Sequence, residues 1–311
     1  MADTTPRSAG PVDVQALRRE ADQQLRRRMK PKTWWREMSW RHLVAIIASL
    51  YAVFPILFVL SAAFNPGTTL TGSNQIFQRF SFENFIELGD RTAFWRWFGN
   101  SMIISVVTAI GTVLMGAAAS YAFSRFRFSG RRMGLTALLV IQMFPQMLAF
   151  VAVFLLVMAL GDVFPVLGFN STLTLIAVYW GGALGVNTFL MYGFFNTIPA
   201  SLDEAAKIDG ASHAQIYWGI IFRLVSPVLA VVGLLSFISS FGEYILASLI
   251  LPREDQMTLA VGLFRFVSDQ FTARWGIFAA GAAIAAIPVL ALFLFLQKYI
   301  VGGLTAGSVK G

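Results

Sequence analysis

The sequence predicts an all-α, polytopic membrane protein with six transmembrane helices. Three observations carry that reading. Of 311 residues, 57% are hydrophobic and only 13% charged, where an ordinary soluble domain has roughly a quarter of its residues charged. Six apolar stretches reach the roughly 20 helical residues that a hydrocarbon core requires, and all but the fifth are free of Asp, Glu, Lys and Arg. The basic residues gather in alternate connections, as expected for a chain oriented by its positive charges.

Residues 1–42 form a polar, basic arm holding ten of the 24 Lys and Arg residues, with no apolar h-region, so nothing resembles a cleavable signal peptide. Arg18, Arg19, Arg26, Arg27 and Arg28, followed by Trp34, Trp35 and Trp40, fit a segment lying on the lipid headgroups of the inner leaflet. A solvated tail over residues 1–30 is the alternative. The first span covers residues 43–64 and is closed by Asn65-Pro66-Gly67, which opens an outer loop over 65–97. The second span, Trp97 to Ser124, lies between Arg96 and Arg125. A third falls within Met133 to Gly161 and contains Pro145, which removes a backbone donor and kinks the helix.

Forty uncharged residues from Val163 to Leu202 are too many for one straight span. Pro165, Gly168 and Asn170-Ser171-Thr172 mark a short loop, leaving Leu173 to Thr197 as the fourth span. Asn170-Ser171-Thr172 also satisfies the glycosylation pattern, which a short outer turn explains equally well. The fifth span lies between Leu224 and Leu251 with Glu243 inside it, and the sixth covers about Trp275 to Leu296 with Pro288 inside. Six spans put both termini on one side. With the N-terminus inside, eighteen basic residues fall on the cytoplasmic side and six on the outer side. The net charge of +8 is therefore mostly an orientation signal, and no nucleic-acid partner is expected.

The absence of cysteine excludes disulfides, thiolate metal sites and thiol nucleophiles. His42 and His213 fall at the membrane edge and in a cytoplasmic loop, so the spans contain no metal cluster or Ser-His arrangement of an intramembrane enzyme. A secondary transporter would ordinarily need coupling-ion carboxylates or an inverted repeat, and the sequence offers one intramembrane acid and no obvious repeat. No catalytic, metal-binding or cofactor-binding residue is expected in this chain.

The most informative connection joins spans four and five. Ser201 followed three residues later by Glu204 is a capping box that predicts a helix starting at Leu202. Gly210 supplies the left-handed residue that ends it, and Ser212 with Gln215 repeats the box at the start of a second helix. Asp203, Glu204 and Asp209 place acids on a side otherwise dominated by cations, and small Ala205 and Ala206 permit close approach of a partner. A capped inter-span connection with no partner is the plainer alternative.

Glu204-Ala205-Ala206, then Gly210 after three intervening residues and Ile220 after nine more, resemble the EAA motif of binding-protein-dependent ABC importer permeases. The family usually continues with Leu-Pro where this chain has Phe222-Arg223, which leaves Pro227 to supply a bend. Thr258 to Leu263, Trp275 to Ala280 and the ending Gln297 to Gly311 are similar to the G-type permease subunit of the maltose/maltodextrin importer. The resemblance covers roughly Phe98 to Gly311. It implies a type I ABC importer permease in a bacterial-type cytoplasmic (inner) membrane, with a core permease domain over 98–298, a coupling loop over 198–219 and an outer loop over 252–274.

The implied partners are an F-type permease subunit completing a heterodimer, two ATPase subunits that bind ATP and Mg, and an extracytoplasmic sugar-binding protein. The chain has no G-x-x-x-x-G-K-[ST] loop of its own. By the same resemblance Ser201, Asp203, Glu204, Ala205, Ala206, Asp209 and Gly210 form the ATPase-coupling element. The tail over 299–311, which composition alone would leave disordered, contacts the ATPases through Gly303, Leu304, Thr305, Ala306, Gly307 and Lys310. Thr258 and Gly262 on the outer loop become candidates for contact with the binding protein.

Pathway candidates follow from the residues themselves. A carboxylate within a span usually faces a bundle interior or an aqueous cavity, which selects Glu243 and its neighbour Tyr244, with a locally paired structural acid as the alternative. Gln142, Gln146 and Asn187 are amides in apolar spans, where interhelical hydrogen bonds are the commoner role. Tyr179 and Trp180 could stack on a sugar ring or simply pack. Maltose and maltodextrins are the implied cargo, with trehalose or another glucoside as the alternative.

Overall fold

The structure is a computed structural model that describes residues 39–66, 79–268 and 274–306, with backbone only for Gln146 and residues 300–306. Its regular elements are helical throughout the described residues. Four helices are long and apolar enough to cross a membrane unbroken, and two bent pairs bring the number of crossings to six when each pair counts as one. The predicted arm over residues 1–38 lies outside the described residues.

Two compact units meet between Phe58 and Val59. In the first, the described chain is the opening stretch of α1 (Ser39–Phe64), whose Leu43, Ile46, Ile47, Leu50 and Tyr51 are all exposed. Such a helix requires lipid or protein around it, since water would leave this apolar surface unburied.

The second unit begins with the last turn of α1 and continues through α2 (Glu83–Asp90) and α3 (Phe94–Arg125). Asn84 of α2 reaches carbonyls at the end of α1, donating from Nδ2 to Ala63 O at 3.0 Å and Asn65 O at 2.8 Å. The long α3 is the centre of the bundle and packs on α6 (Thr172–Phe195), α9 (Ser226–Phe241) and α11 (Leu259–Ser268). Its buried stripe carries Ser101, Ser105, Thr108, Thr112, Gly116 and Ser120. Small residues of this kind allow helix backbones to approach closely where lipid cannot drive association.

The third predicted span is two helices, α4 (Arg131–Gln142) and α5 (Gln146–Val163), broken at Met143–Pro145. Pro145 lacks an N–H and excludes the helical conformation from Phe144, so a break replaces the expected kink. A 3₁₀ turn, Pro165–Leu167, then leads to Ser171, whose Oγ accepts from Thr174 N and caps α6.

The fifth span departs from the sequence reading. It comprises α8 (His213–Leu224), which is π-helical over Ile216–Ile221, and α9, bent by 77° at Val225. Pro227 near the start of α9 supplies the break that the family's usual Leu-Pro is absent to supply. Because the crossing starts at His213, it ends at Phe241 rather than Leu251, and Glu243 falls in a break between α9 and the short α10 (Ile245–Ile250). The outer connection contains the amphipathic α11. Finally α12 runs from Trp275 to Ala306 through Pro288, past the predicted end at Leu296, because the apolar run of the span resumes at Tyr299-Ile300-Val301.

Two cores hold the second unit together. One gathers Phe94, Trp97, Ile104, Leu175, Phe241, Leu259 and Ile277 near α11. The other gathers Ala117, Tyr121, Met191, Phe195, Ile216, Tyr217 and Val228 near α7 (Ala200–Ile208).

Candidate functional site

The α7 segment is a short helix with two unlike faces. It begins at Ala200, two residues before the predicted start, and Ser201 makes no capping bond. Pro199 explains the shift: at φ −59° and ψ 133° it enters the helix in an extended conformation, and its carbonyl accepts from Leu202 N at 3.2 Å. The helix ends as predicted. Gly210 has φ +83°, Gly210 N bonds to Lys207 O at 3.0 Å, and Ala211 N bonds to Ala206 O at 2.9 Å. This is the paired closure of a Schellman turn. Ser212 and Gln215 then form the predicted capping box, with both reciprocal bonds present.

One face of α7 is turned into the protein. Asp203 is 5% exposed and Ala206 is also buried. Asp203 Oδ2 lies 2.8 Å from Nε of Arg125, the last residue of α3, and Arg125 Nη2 donates to Ile198 O at 3.0 Å. Neither Asp203 oxygen has an aligned hydrogen bond, so charge holds the pair. Asp203 and Ala206, both expected within the coupling element, are therefore its inward-facing residues. The opposite face presents Ser201, Glu204, Ala205, Lys207, Asp209 and an Ile208 that is 86% exposed.

A cavity of about 790 Å³ opens between α3, α5, α6 and α9, bringing together three of the pathway candidates, Glu243, Gln142 and Asn187, with Tyr179, Ser236 and Ser239. Glu243 is fully engaged. Its Oε1 accepts from Leu246 N at 2.8 Å, and its Oε2 accepts from Ala247 N at 3.0 Å and Tyr179 Oη at 2.7 Å. The carboxylate caps α10 and ties it to α6, so the paired structural role is realised on the wall of the cavity itself. Gln142 Nε2 donates to Gly182 O at 3.1 Å and Asn187 Nδ2 to Ala183 O at 2.8 Å. Gln146 opens α5, Trp180 donates to Thr108 O from within the α3–α6 contact, and neither Trp180 nor Tyr244 is part of the cavity wall. Tyr244 packs instead at a tilt against Phe264 of α11, with ring centroids 4.6 Å apart.

The outer-loop candidates are also relocated. Thr258 is 1% exposed, and Gly262 is buried against the indole of Trp97. A Cβ at Gly262 would lie 2.2 Å from that ring, so this glycine is required for close packing of α11 on α3. Among the described residues of the same segment, Pro252, Arg253, Glu254, Phe264, Arg265 and Ser268 are exposed. Gly303, Leu304, Thr305 and Ala306 belong to the end of α12, while Gly307 and Lys310 lie outside the described residues. Arg125 was legible in the sequence only as a span boundary. Its pairing with Asp203 joins helices distant in sequence, and nothing in the local pattern announces it.

The comparisons with known proteins agree with this architecture. Residues 112–305 match the family described as binding-protein-dependent transport system inner membrane component. The galactooligosaccharides transport system permease protein GanQ of Bacillus subtilis is 41% identical over 273 residues, 87% of this chain and 94% of its own. The maltodextrin transport system permease protein MdxG of the same organism is 38% identical over 270 residues, 87% and 95% of the two chains. The maltose/maltodextrin transport system permease protein MalG of Escherichia coli is 35% identical over 298 residues, 91% and 99%. Among solved structures, a bacterial ABC transporter involved in the import of the acidic polysaccharide alginate contains a chain of the same fold, with TM-score 0.74 and 23% identity over 87% of this chain and 99% of that one. With its four long apolar helices and two bent pairs, its buried small-residue stripe and its capped α7–α8 connection, this chain belongs to the binding-protein-dependent transport system inner membrane components and is an ABC importer permease.

Proposed function

We propose that this chain is one half of the translocation pathway of an ATP-driven importer for neutral oligosaccharides, with maltodextrins as the leading cargo. An F-type permease forms the other half, two cytoplasmic ATPase subunits bind ATP and Mg, and an extracytoplasmic binding protein delivers the sugar. The membrane is the bacterial inner membrane. The observation that carries the coupling role is the two-faced α7, which is anchored by Asp203 and Ala206 and exposes Glu204, Ala205 and Ile208. A docked ATPase subunit gains a helix that is already ordered and capped, so little conformational entropy is lost on contact. Its movement reaches the cavity through α3 and α8–α9.

The cargo reading rests on the maltodextrin permeases among the relatives and on the cavity's chemistry. Among the described residues its wall contains one carboxylate, Glu243, and no Lys or Arg. An acidic saccharide would meet a like charge there with no cation to offset it, whereas amides and hydroxyls suit neutral polyols. Galactooligosaccharides are the second reading, favoured by the 41% identity with a galactooligosaccharide permease.

The coupling role is tested with Glu204→Lys in the complete importer. The variant is expected to insert and to lose at least about tenfold of uptake, the scale on which a reversed charge at a docking contact acts. Wild-type uptake and wild-type ATPase stimulation in that variant would overturn the docking role.

A further inference from the structure

The anchor of α7 is a single charged contact. Of its nine residues only Asp203 and Ala206 are buried, and Ala206 offers no more than a methyl group. Arg125 supplies the rest. Its guanidinium spans two targets, with Nε beside Asp203 Oδ2 at 2.8 Å and Nη2 bonded to Ile198 O at 3.0 Å, and the two side chains of the pair are 11% and 7% exposed. Ser124 beside it donates to Asn196 Oδ1 at 2.9 Å. The end of α3 therefore grips both the helix α7 and the connection that leads into it. Tyr121, one turn earlier on α3, packs on Tyr217 of α8 at 5.1 Å and on Phe195 of α6 at 6.5 Å.

A buried ion pair is a poor way to gain stability, because desolvation cancels most of the attraction, but removing one partner strands the other charge. Such a contact is close to all-or-none, and a guanidinium holds two acceptors in fixed directions as an ammonium cannot. From Arg125, α3 continues unbroken back to Thr108 on the cavity wall, a length of roughly 25 Å at the α-helical rise.

We propose that Arg125 is a positioning residue that makes α7 a rigid extension of α3, so that displacement of the coupling helix is delivered to the cavity through α3. The inference rests on the docking role of α7 proposed above. In the complete importer, Arg125→Gln and Asp203→Asn are each expected to lower sugar taken up per ATP hydrolysed by at least about tenfold, as a stranded buried charge requires. The exchanged pair Arg125→Asp with Asp203→Arg should recover most of it. Arg125→Lys, which keeps the charge and loses the second bond, should fall between.

A second measurement leaves the pair intact. The chain has no cysteine, so spin labels on cysteines introduced at the exposed positions Ala118 on α3 and Lys207 on α7 report their separation directly. That distance should stay within about 2 Å between nucleotide-free and ATP-bound states, the scale of small shifts between packed helices. Unchanged uptake per ATP in assembled single variants, or a larger change in the label distance, overturns the rigid link; if no pair variant assembles, the label distance decides alone. Glu204→Lys separates the two ideas: sensitivity there with indifference at Arg125 and Asp203 removes only the rigid link, whereas indifference at Glu204 removes the docking role.

Discussion

Glu243 shows how one side chain takes its meaning from its partners. In the sequence it is a carboxylate in an apolar stretch, and such groups mark cavities or pairs. In the fold it serves as both, lining the cavity while accepting from Tyr179 and two backbone amides. Glu243→Ala leaves Tyr179 Oη and two N–H groups without their acceptor, and is expected to cost about 2–4 kcal/mol of stability from stranded buried donors. Thermal unfolding of the purified complex measures it, and Glu243→Gln, which retains acceptor capacity, should recover most of the loss. Gly262→Ala tests packing at the same scale. Its new methyl meets the Trp97 ring, and overpacking of this kind costs about 1–3 kcal/mol, to be read as a lowered melting temperature of the assembled importer.

At the scale of elements, the α7–α8 connection was the most legible part of the chain. Gly210 and the Ser212/Gln215 box were readable because turns and caps depend on local residue chemistry. The start of α7 was misplaced because two local signals competed, and Pro199 outranked the Ser201/Glu204 box. Gly210→Val forces a β-branched residue to φ +83° and should open the Schellman turn at a cost of about 1–3 kcal/mol. The expected result is a subunit that still inserts and associates with the other permease half but has lost sugar-stimulated ATP hydrolysis. Stimulation at the wild-type level would show that the turn's geometry is dispensable.

For the whole molecule, the cavity wall makes the cargo prediction. A panel of oligosaccharides presented with the cognate binding protein should stimulate ATP hydrolysis when neutral, with maltodextrins foremost and galactooligosaccharides next. Acidic uronic-acid oligomers should fail, since among the described residues Glu243 is the only charged group on the wall and repels them. Stimulation by acidic oligomers alone would overturn the neutral-cargo reading.

The sequence by itself determined the membrane class, the approximate limits of the four unbroken crossings, the orientation signal in the basic residues and the turn at Gly210. These follow from composition, hydrophobic length and local backbone chemistry, which need no knowledge of distant neighbours. Tertiary structure alone decided that Asp203 is buried beside Arg125, that Thr258 and Gly262 are packed inside, and that the fifth crossing starts at His213 and leaves Glu243 to cap α10. Each of those outcomes depends on which helix lies opposite. An Asp beside Arg125 or a Gly beneath Trp97 is defined by a neighbour brought close in the fold, and no period or motif along the chain encodes that neighbour.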